Sequence, residues 1–406
     1  MKIVRIIARL NVGGPARHVV WLNSSMQNDG FNSVLLTGKV PEGEEDMSYF
    51  AEEHGVKPII IKEMSRELSL KDFVSLWKVY KILWVEKPDI IHTHTAKAGT
   101  IGRVAGFFYR WLTFRSLVGK PRKVKIIHTF HGHIFHSYYG NLKTKLFLFI
   151  EKCLAKLATN KIIVISKQQK KEIHSDFGIG KTDQFQIIPL GIDLEKFKDS
   201  KEKNALLRKE IGAEEELIVG LVGRLTEIKN HKLFLSVIEK YKKANISNKP
   251  ELKFVIIGDG HLRKNLEKKA KEAGIENLVS FLGNRNDAAV FYAGLDIVAL
   301  TSLNEGTPLS LIEAMANEKP VISTSVGGVV DLLGDVANEK DGVLYCERGA
   351  RVTSGGSESF FQGLCILANN TKLQNDLGQK GLEFVKKNYS KKRLVDDISA
   401  LYRTIN

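Results

Sequence analysis

The sequence is poor in the features that mark a secreted, membrane-spanning or disordered chain. Its three cysteines, Cys153, Cys346 and Cys365, are odd in number and far apart. No disulfide framework or cysteine metal pattern fits them, which suits a reducing compartment. Nine prolines in 406 residues and no low-complexity run leave little room for a long disordered segment. No uncharged apolar run reaches the roughly 18 residues that a membrane span needs. The most apolar stretch, Ile101 to Val118, is interrupted by Arg103, Arg110 and Arg115. The opening MKIVRIIARL is too short and too charged for a secretory leader and reads as a strand. Asp-x-Asp is missing too, so no such carboxylate pair is at hand to bridge a divalent ion to a diphosphate. The expectation is a cytoplasmic protein that needs no metal and no resident cofactor.

Acid is the scarce charge: 46 Asp and Glu stand against 61 Lys and Arg, a formal net charge of +15. Between Arg103 and Lys171 fifteen basic residues face a single acid, Glu151. A field of that sign favours nucleic acid, anionic lipid headgroups or a phosphorylated acceptor. No arginine-rich helix or stacking motif supports nucleic acid.

What the chain does have is alternation. Short β-branched runs, at Lys2–Ala8, Ser33–Thr37, Lys57–Ile61, Asp89–Thr93, Lys125–Thr129, Lys161–Ile165 and Phe185–Ile188, are separated by helical patterns. A second series follows at Leu217–Val222, Lys253–Ile257, Leu278–Leu282, Ile297–Leu300, Pro320–Ser323 and Gly342–Tyr345. Buried parallel strands have this composition, and the intervening helices make right-handed βαβ units. The predicted fold is therefore α/β: two Rossmann-like, doubly wound, parallel-sheet domains. The boundary is expected after Pro189-Leu-Gly-Ile-Asp193, with domains 1–195 and 196–385. Ligands of such sheets bind beyond the carboxyl ends of the strands, so a cleft between facing domains is the expected site.

Several strand ends carry chemistry. After the first strand, Gly13-Gly14-Pro15 joins a strand to a helix N-terminus, an arrangement that offers N–H groups to an anion. Glu305-Gly306-Thr307-Pro308-Leu309 leads into a second such helix, with Glu313 further along it. A diphosphate resting at the helix start has a carboxylate on each side to accept hydrogen bonds from sugar hydroxyls. A carboxylate within the apolar run around Glu313 is costly unless it is paired. Arg224 and Lys229 follow the first strand of the second domain, where two cations balance a leaving diphosphate. Gly258, Asn284 and Arg285 close the next two strands on the same edge. In the first domain, His131 and His133 follow one strand and His94 and Lys97 another. A histidine that hydrogen-bonds a ligand fits this better than a metal cluster, because alternate strand residues point to opposite faces and no carboxylate is near.

Taken in order, Gly13-Gly14, His131, Val164-Ile-Ser166, Pro189-Leu-Gly-Ile-Asp193, Gly223-Arg224 with Lys229, Gly258-Asp-Gly260 and the Glu305/Glu313 pair resemble the retaining glycosyltransferases of family four. The resemblance covers nearly the whole chain and implies the GT-B fold. It implies a nucleotide-sugar donor, a UDP-sugar by preference, held by the C-terminal domain, and an acceptor held by the N-terminal one. It assigns Arg224 and Lys229 to the diphosphate, Glu313 to the ribose, Glu305 and His131 to the donor sugar and Gly14 to the phosphates, with a last helix within 386–406 crossing back to the first domain. His94, Lys97 and His133 are the acceptor candidates. His92-Thr-His-Thr-Ala-Lys97-Ala-Gly99 looks most like the branch that builds bacterial surface polysaccharides. That implies a polyprenyl-diphosphate-linked or otherwise phosphorylated acceptor, reached from an anionic membrane surface at the inner face of the plasma membrane. The aromatic segment Phe107 to Phe114 is either core or bilayer contact. A soluble acceptor, a silent nucleotide-sugar binder and a nucleotide-sugar epimerase are the alternatives. The run Glu347–Gly356 departs from the shorter, proline-containing turn of relatives.

Overall fold

The computed structural model describes all residues except 12, 42–45, 65–69, 133–140, 198–202, 354 and 406, and the side chains of 28–29 and 141–143. His133 therefore lies outside the described residues. The chain divides into two compact units: Met1–Gly191 with Lys391–Asn406, and Ile192–Ser390.

In the first unit the strands are β1 Lys2–Arg9, β2 Asn32–Gly38, β3 Ile59–Ile61, β4 Ile90–His94, β5 Lys125–Thr129, β6 Lys161–Val164 and β7 Phe185–Ile187. They form one sheet in the order β3-β2-β1-β4-β5-β6-β7, every neighbour parallel. Strands covered on both faces have no polar side to show, and all five residues of β4 are buried. Helix Ala96–Trp111 lies close against this sheet because Gly99, Gly102 and Gly106 recur on its inner face. A Cβ at Gly102 would stand 2.6 Å from Thr93 and 2.8 Å from Ile6, and one at Gly106 2.8 Å from Ile126.

In the second unit the strands are β8 Leu217–Val222, β9 Leu252–Ile257, β10 Val279–Gly283, β11 Ile297–Leu300, β12 Val321–Thr324, β13 Val336–Lys340, β14 Val343–Cys346 and β15 Gly349–Val352. Their order is β10-β9-β8-β11-β12-β15-β14-β13. The sheet is parallel from β10 to β15, whereas β14 and β13 run antiparallel. The run Glu347–Gly356 is thus no simple loop: it turns the chain from β14 into β15. β13 escapes a reading by hydrophobic pattern because all five of its residues are exposed. Arg103, first of the fifteen basic residues, adds nothing to the surface field. It is fully buried, and its Nη2 donates to both Glu151 oxygens at 2.6 and 2.7 Å.

The chain leaves the second unit at Ser390 and ends in helix Lys391–Ile405 of the first. The unit boundary falls at Gly191, four residues ahead of the expected 195, where the Ile192 amide donates to the Tyr389 carbonyl at 2.7 Å. Leu394, Ile398, Leu401 and Tyr402 recur at helical spacing and pack with Ile3, Leu22, Phe31, Ile90 and Ile127. Each such side chain contributes about 1.5–3 kcal/mol through burial. Ile398→Ala is therefore expected to destabilise the first unit by about 2–5 kcal/mol, read as a lower urea midpoint with the second unit's transition unchanged.

Candidate active site

Strand order in the second unit reverses between β8 and β11. Ligands of doubly wound sheets bind in the crevice beyond the carboxyl ends of the two strands at such a reversal. The crevice is organised by bonds between the two loops. After β8 the chain makes a short 3-10 turn, Glu227–Lys229, ended by Asn230 in the left-handed region (φ 49°). The Ile228 carbonyl accepts from the Leu303 amide at 2.8 Å, and the Lys229 carbonyl from Thr301 Oγ1 at 3.0 Å. These bonds bring Lys229 Nζ to 2.6 Å from Glu305 Oε1. The same oxygen accepts from Ser302 Oγ at 2.6 Å. Both charged side chains are mostly buried, at 18% and 11% exposure, so removal of either leaves a poorly solvated charge.

Glycines let this crevice close up. Gly258 has φ +135°, and a Cβ there would run into the Gly223 carbonyl oxygen. A Cβ at Gly327 would run into the Glu305 carbonyl, so the turn after β12 lies directly on the Glu305 backbone. Helix Leu309–Ala316 begins one residue later than the expected Pro308, which is its N-cap (φ −73°, ψ 111°). No side chain caps this end, and its first turn holds no acid, which leaves its first N–H groups without a side-chain acceptor. Glu313 is the fifth helical residue, roughly 6 Å along the axis from Leu309, half-buried beside Leu311, Ile312, Ala314 and Met315.

Arg224, at the end of β8, is exposed. Asn284 and Arg285 follow β10 at the same edge, but Arg285 is engaged elsewhere. Its guanidinium bonds Asp287 at 2.8 and 2.5 Å and Glu210 at 2.6 Å. The hydrogen bonds to Asp287 raise its already high pKa further. Arg285 therefore serves as a brace between the loop after β10 and helix Asn204–Ile211. Asp259 is held below the ordinary carboxylate range by the Gly260 amide at 2.6 Å and by Arg263 at 2.9 Å.

In the first unit the strand order reverses between β1 and β4, and histidines collect at that point. His94 ends β4 and His131 follows β5, with His94 Nδ1 3.0 Å from His131 Nε2. His18, on helix Gly14–Ser25, brings its ring to 4.8 Å from that of His131. Sequence reasoning passed His18 by. Its only signal is its place in the run His18 to Asn23, in which every residue is buried. Behind the cluster, His92 is held by Tyr402 Oη at 2.5 Å and Thr129 Oγ1 at 2.7 Å. Tyr402 also receives Arg5 Nη2 at 3.4 Å. Burial keeps these imidazoles neutral: it pushes His131 down to about 3 and drives His18, His92 and His94 well below the usual range. Thr95, at the entrance of helix Ala96–Trp111, has φ 65°, a conformation rare for a β-branched residue. Lys97, expected as an acceptor contact, gives its ammonium to Asp72 at 2.8 Å.

His231 opens helix His231–Lys243 behind Lys229, and burial together with that cation lowers its pKa to about 4. Since unfolding restores a value near 6.5, the unfolded chain binds more protons between these limits, and stability falls as pH drops through that window. Between pH 7 and pH 5 the second unit is expected to lose about 2 kcal/mol on this account. Urea unfolding of His231→Leu at both pH values checks this: the variant's loss should be smaller by about that amount.

The comparisons with known proteins bear on the family and the fold. Residues 12–196 match the Glycosyltransferase Family 4 domain, and residues 203–384 the Glycosyl transferases group 1 domain. The chain is 30% identical over 353 residues to the UDP-Gal:alpha-D-GlcNAc-diphosphoundecaprenol alpha-1,3-galactosyltransferase of Escherichia coli, covering 86% of this chain and 84% of the relative. It is 26% identical to the capsular polysaccharide biosynthesis glycosyltransferase CapM of Staphylococcus aureus, covering 84% and 83%. In fold it is similar to Anabaena HepE, crystallised in complex with UDP, with a TM-score of 0.78 at 19% identity over the full length of both chains. With matched domains on both units and the Escherichia coli relative 30% identical across most of its length, the chain belongs to the family 4, group 1 glycosyltransferases and has their GT-B fold.

Proposed function

We propose that this glycosyltransferase moves a hexosyl or N-acetylhexosaminyl group from a UDP-sugar to a polyprenyl-diphosphate-linked acceptor, with retention at the anomeric carbon. The observation that carries the donor half is the Lys229–Glu305 pair at the β8/β11 switch, beside the uncapped start of helix Leu309–Ala316. A diphosphate at that helix start draws on the free N–H groups and the positive end of the helix dipole. Lys229 and Arg224 then take up the charge that grows on the leaving phosphate, the task given to a divalent ion in other enzymes. No metal is required at the diphosphate in this reading. Glu305, tied by Lys229 and Ser302, presents its remaining acceptor capacity to sugar hydroxyls, and Glu313 lies one turn along for the ribose. Retention follows a front-face route, in which the departing phosphate accepts the acceptor's proton and the protein positions the groups. The acceptor falls to the strand ends of the first unit around His94, with His131 directed to the donor sugar. The Escherichia coli relative, named for a diphosphoundecaprenol-linked sugar substrate, supports the acceptor class.

A lipid-linked acceptor calls for access to a bilayer. No described helix is long and apolar enough to cross one. The aromatic segment divides: Tyr109 is buried, while Trp111 and Phe114 are 42% and 92% exposed. Leu117 and Val118 continue the exposed surface, and helix Lys71–Glu86 adds Phe73, Trp77 and Val85. Its Trp84 and the buried Tyr109 both stack on Arg122, so the two surfaces adjoin. Apolar side chains with basic neighbours Arg115, Lys120 and Lys123 suit an anionic interface.

Thermal shift in EDTA tests the donor half. UDP at a hundredfold excess over its Kd stabilises the native state by about 2.7 kcal/mol, a rise of roughly 5–10 °C for a unit of this size. Lys229→Ala is expected to abolish the rise and to lower kcat by about 10²–10³-fold. No response to any nucleoside diphosphate, or one that needs metal, refutes the donor assignment. For the bilayer, the wild type is expected to sediment with phosphatidylglycerol vesicles and to be released near 1 M salt, where the screening length is about 3 Å. Phe114→Glu with Leu117→Glu should stay in solution; equal sedimentation of variant and wild type would exclude this surface.

A further inference from the structure

The last helix, Lys391–Ile405, contributes more than apolar packing. Its Tyr402 is fully buried, and the phenolic oxygen lies 2.5 Å from His92 Nδ1. The other nitrogen of that ring, Nε2, meets Thr129 Oγ1 at 2.7 Å. Arg5 Nη2 stands 3.4 Å from the Tyr402 oxygen, and Arg5 is itself held through Nη1, which donates to Asn23 Oδ1 at 3.1 Å. Of the imidazoles of His18, His92, His94 and His131, that of His92 alone has both nitrogens engaged. His94 and His131 have one each, and His18 has none, among the described residues.

The chemistry of the partners fixes the direction of these bonds. A guanidinium can only donate, so the Tyr402 oxygen accepts from Arg5 and its own O–H is left for His92 Nδ1. Burial, with Arg5 as a nearby positive charge, keeps His92 neutral. A neutral imidazole that accepts at one nitrogen carries its proton on the other. His92 is therefore the Nε2–H tautomer and donates to Thr129 Oγ1. Two short bonds of opposite direction pin the plane of this ring, and one of them comes from 310 positions away.

His92 and His94 lie two residues apart on β4 and so share a face of the sheet. Their ring centroids are 4.1 Å apart, and His94 Nδ1 is 3.0 Å from His131 Nε2. That contact is the one side-chain hydrogen bond of His94 among the described residues, so its ring takes its orientation from the imidazoles beside it. His94 Nε2 and His131 Nδ1 stay buried without a protein partner among the described residues, a costly state unless substrate oxygens or water complete them. We propose that Tyr402 is a positioning residue for sugar transfer: by fixing His92 it holds the His94–His131 pair in the orientation that keeps those two nitrogens for the substrates. The role rests on the placement proposed above, an acceptor at His94 and the donor sugar at His131.

Full-length protein labelled at its histidine nitrogens tests the tautomer and the role separately. Two-bond proton–nitrogen spectra of the wild type, with the signal lost in His92→Phe as its assignment, should show His92 protonated on Nε2. Tyr402→Phe should move the His92 and His94 signals, with the urea midpoint establishing that the variant is folded. In transfer from a UDP-sugar to a polyprenyl-diphosphate-linked acceptor, Tyr402→Phe is expected to lower kcat by about 10–100-fold, with the Kd for UDP kept within about twofold. Ile398→Ala loosens the same helix without touching the hydroxyl, so it should lower the urea midpoint and leave kcat unchanged. Because Tyr402 acts through His92, adding Tyr402→Phe to His92→Phe should lower kcat no further. Wild-type His92 protonated on Nδ1, or folded Tyr402→Phe with unmoved His94 signals or unchanged kcat, overturns the role. A wild type that transfers nothing to that acceptor refutes the acceptor reading instead, and the His92 and His94 signals still decide whether Tyr402 orients the pair.

Discussion

Two adjacent parallel strands whose crossovers depart in opposite directions leave the space beyond their carboxyl ends unfilled. In each unit one pair of strands is so placed, β1 with β4 and β8 with β11. Most of the chemistry described above gathers at these two places. At β8 and β11 the loops are tied to each other through Ile228, Lys229, Thr301 and Leu303. Position there is thus set by backbone hydrogen bonds rather than by the reach of a flexible lysine. At β1 and β4 the gap is lined by imidazoles that burial keeps uncharged. One half-site is ionic and the other neutral, although both arise from the same topological reversal.

Charge is handled differently at the surface and inside. The excess of basic residues is largely solvated, but several cations inside the fold are each committed to a partner. Arg103 meets Glu151, Lys97 meets Asp72, Arg285 meets Asp287 and Glu210, and Lys229 meets Glu305. Pairing of buried charges is expected where an isolated one is costly. The pair at the switch differs from the others in its surroundings: glycine turns at Gly258 and Gly327 and an uncapped helix end lie beside it. Arg5 stands apart, fully buried and bonded to the neutral groups of Asn23, Ser33, Met26 and Tyr402. Through Tyr402 the last helix reaches the back of the histidine cluster, so the end of the chain takes part in setting that site.

Much of this was legible in the sequence because parallel strands buried on both faces announce themselves as β-branched runs. β5, β8 and β11 begin and end where those runs do. β13 and β15 were not legible: the first is exposed throughout, and the second is four residues within a polar stretch. The residues that the resemblance singles out for the donor mostly follow strands, Arg224 and Lys229 after β8 and Glu305 after β11, with Glu313 on the helix beyond. Arg285 was legible in position but not in use. A guanidinium next to a strand end looks the same whether it awaits a ligand or, as here, is held by two carboxylates, one of them 75 positions away.

The sequence by itself determined the class of fold and the number of units. These follow from local patterns: periodicity, glycine at turns, and proline at helix starts. The tertiary structure alone decided which groups share a space. That Lys229 faces Glu305 across 76 positions, that Tyr402 holds His92 across 310, and that His18 joins His94 and His131 depends on strand order. Strand order is set by how crossovers pack against the sheet, and no stretch of sequence short enough to read locally contains it.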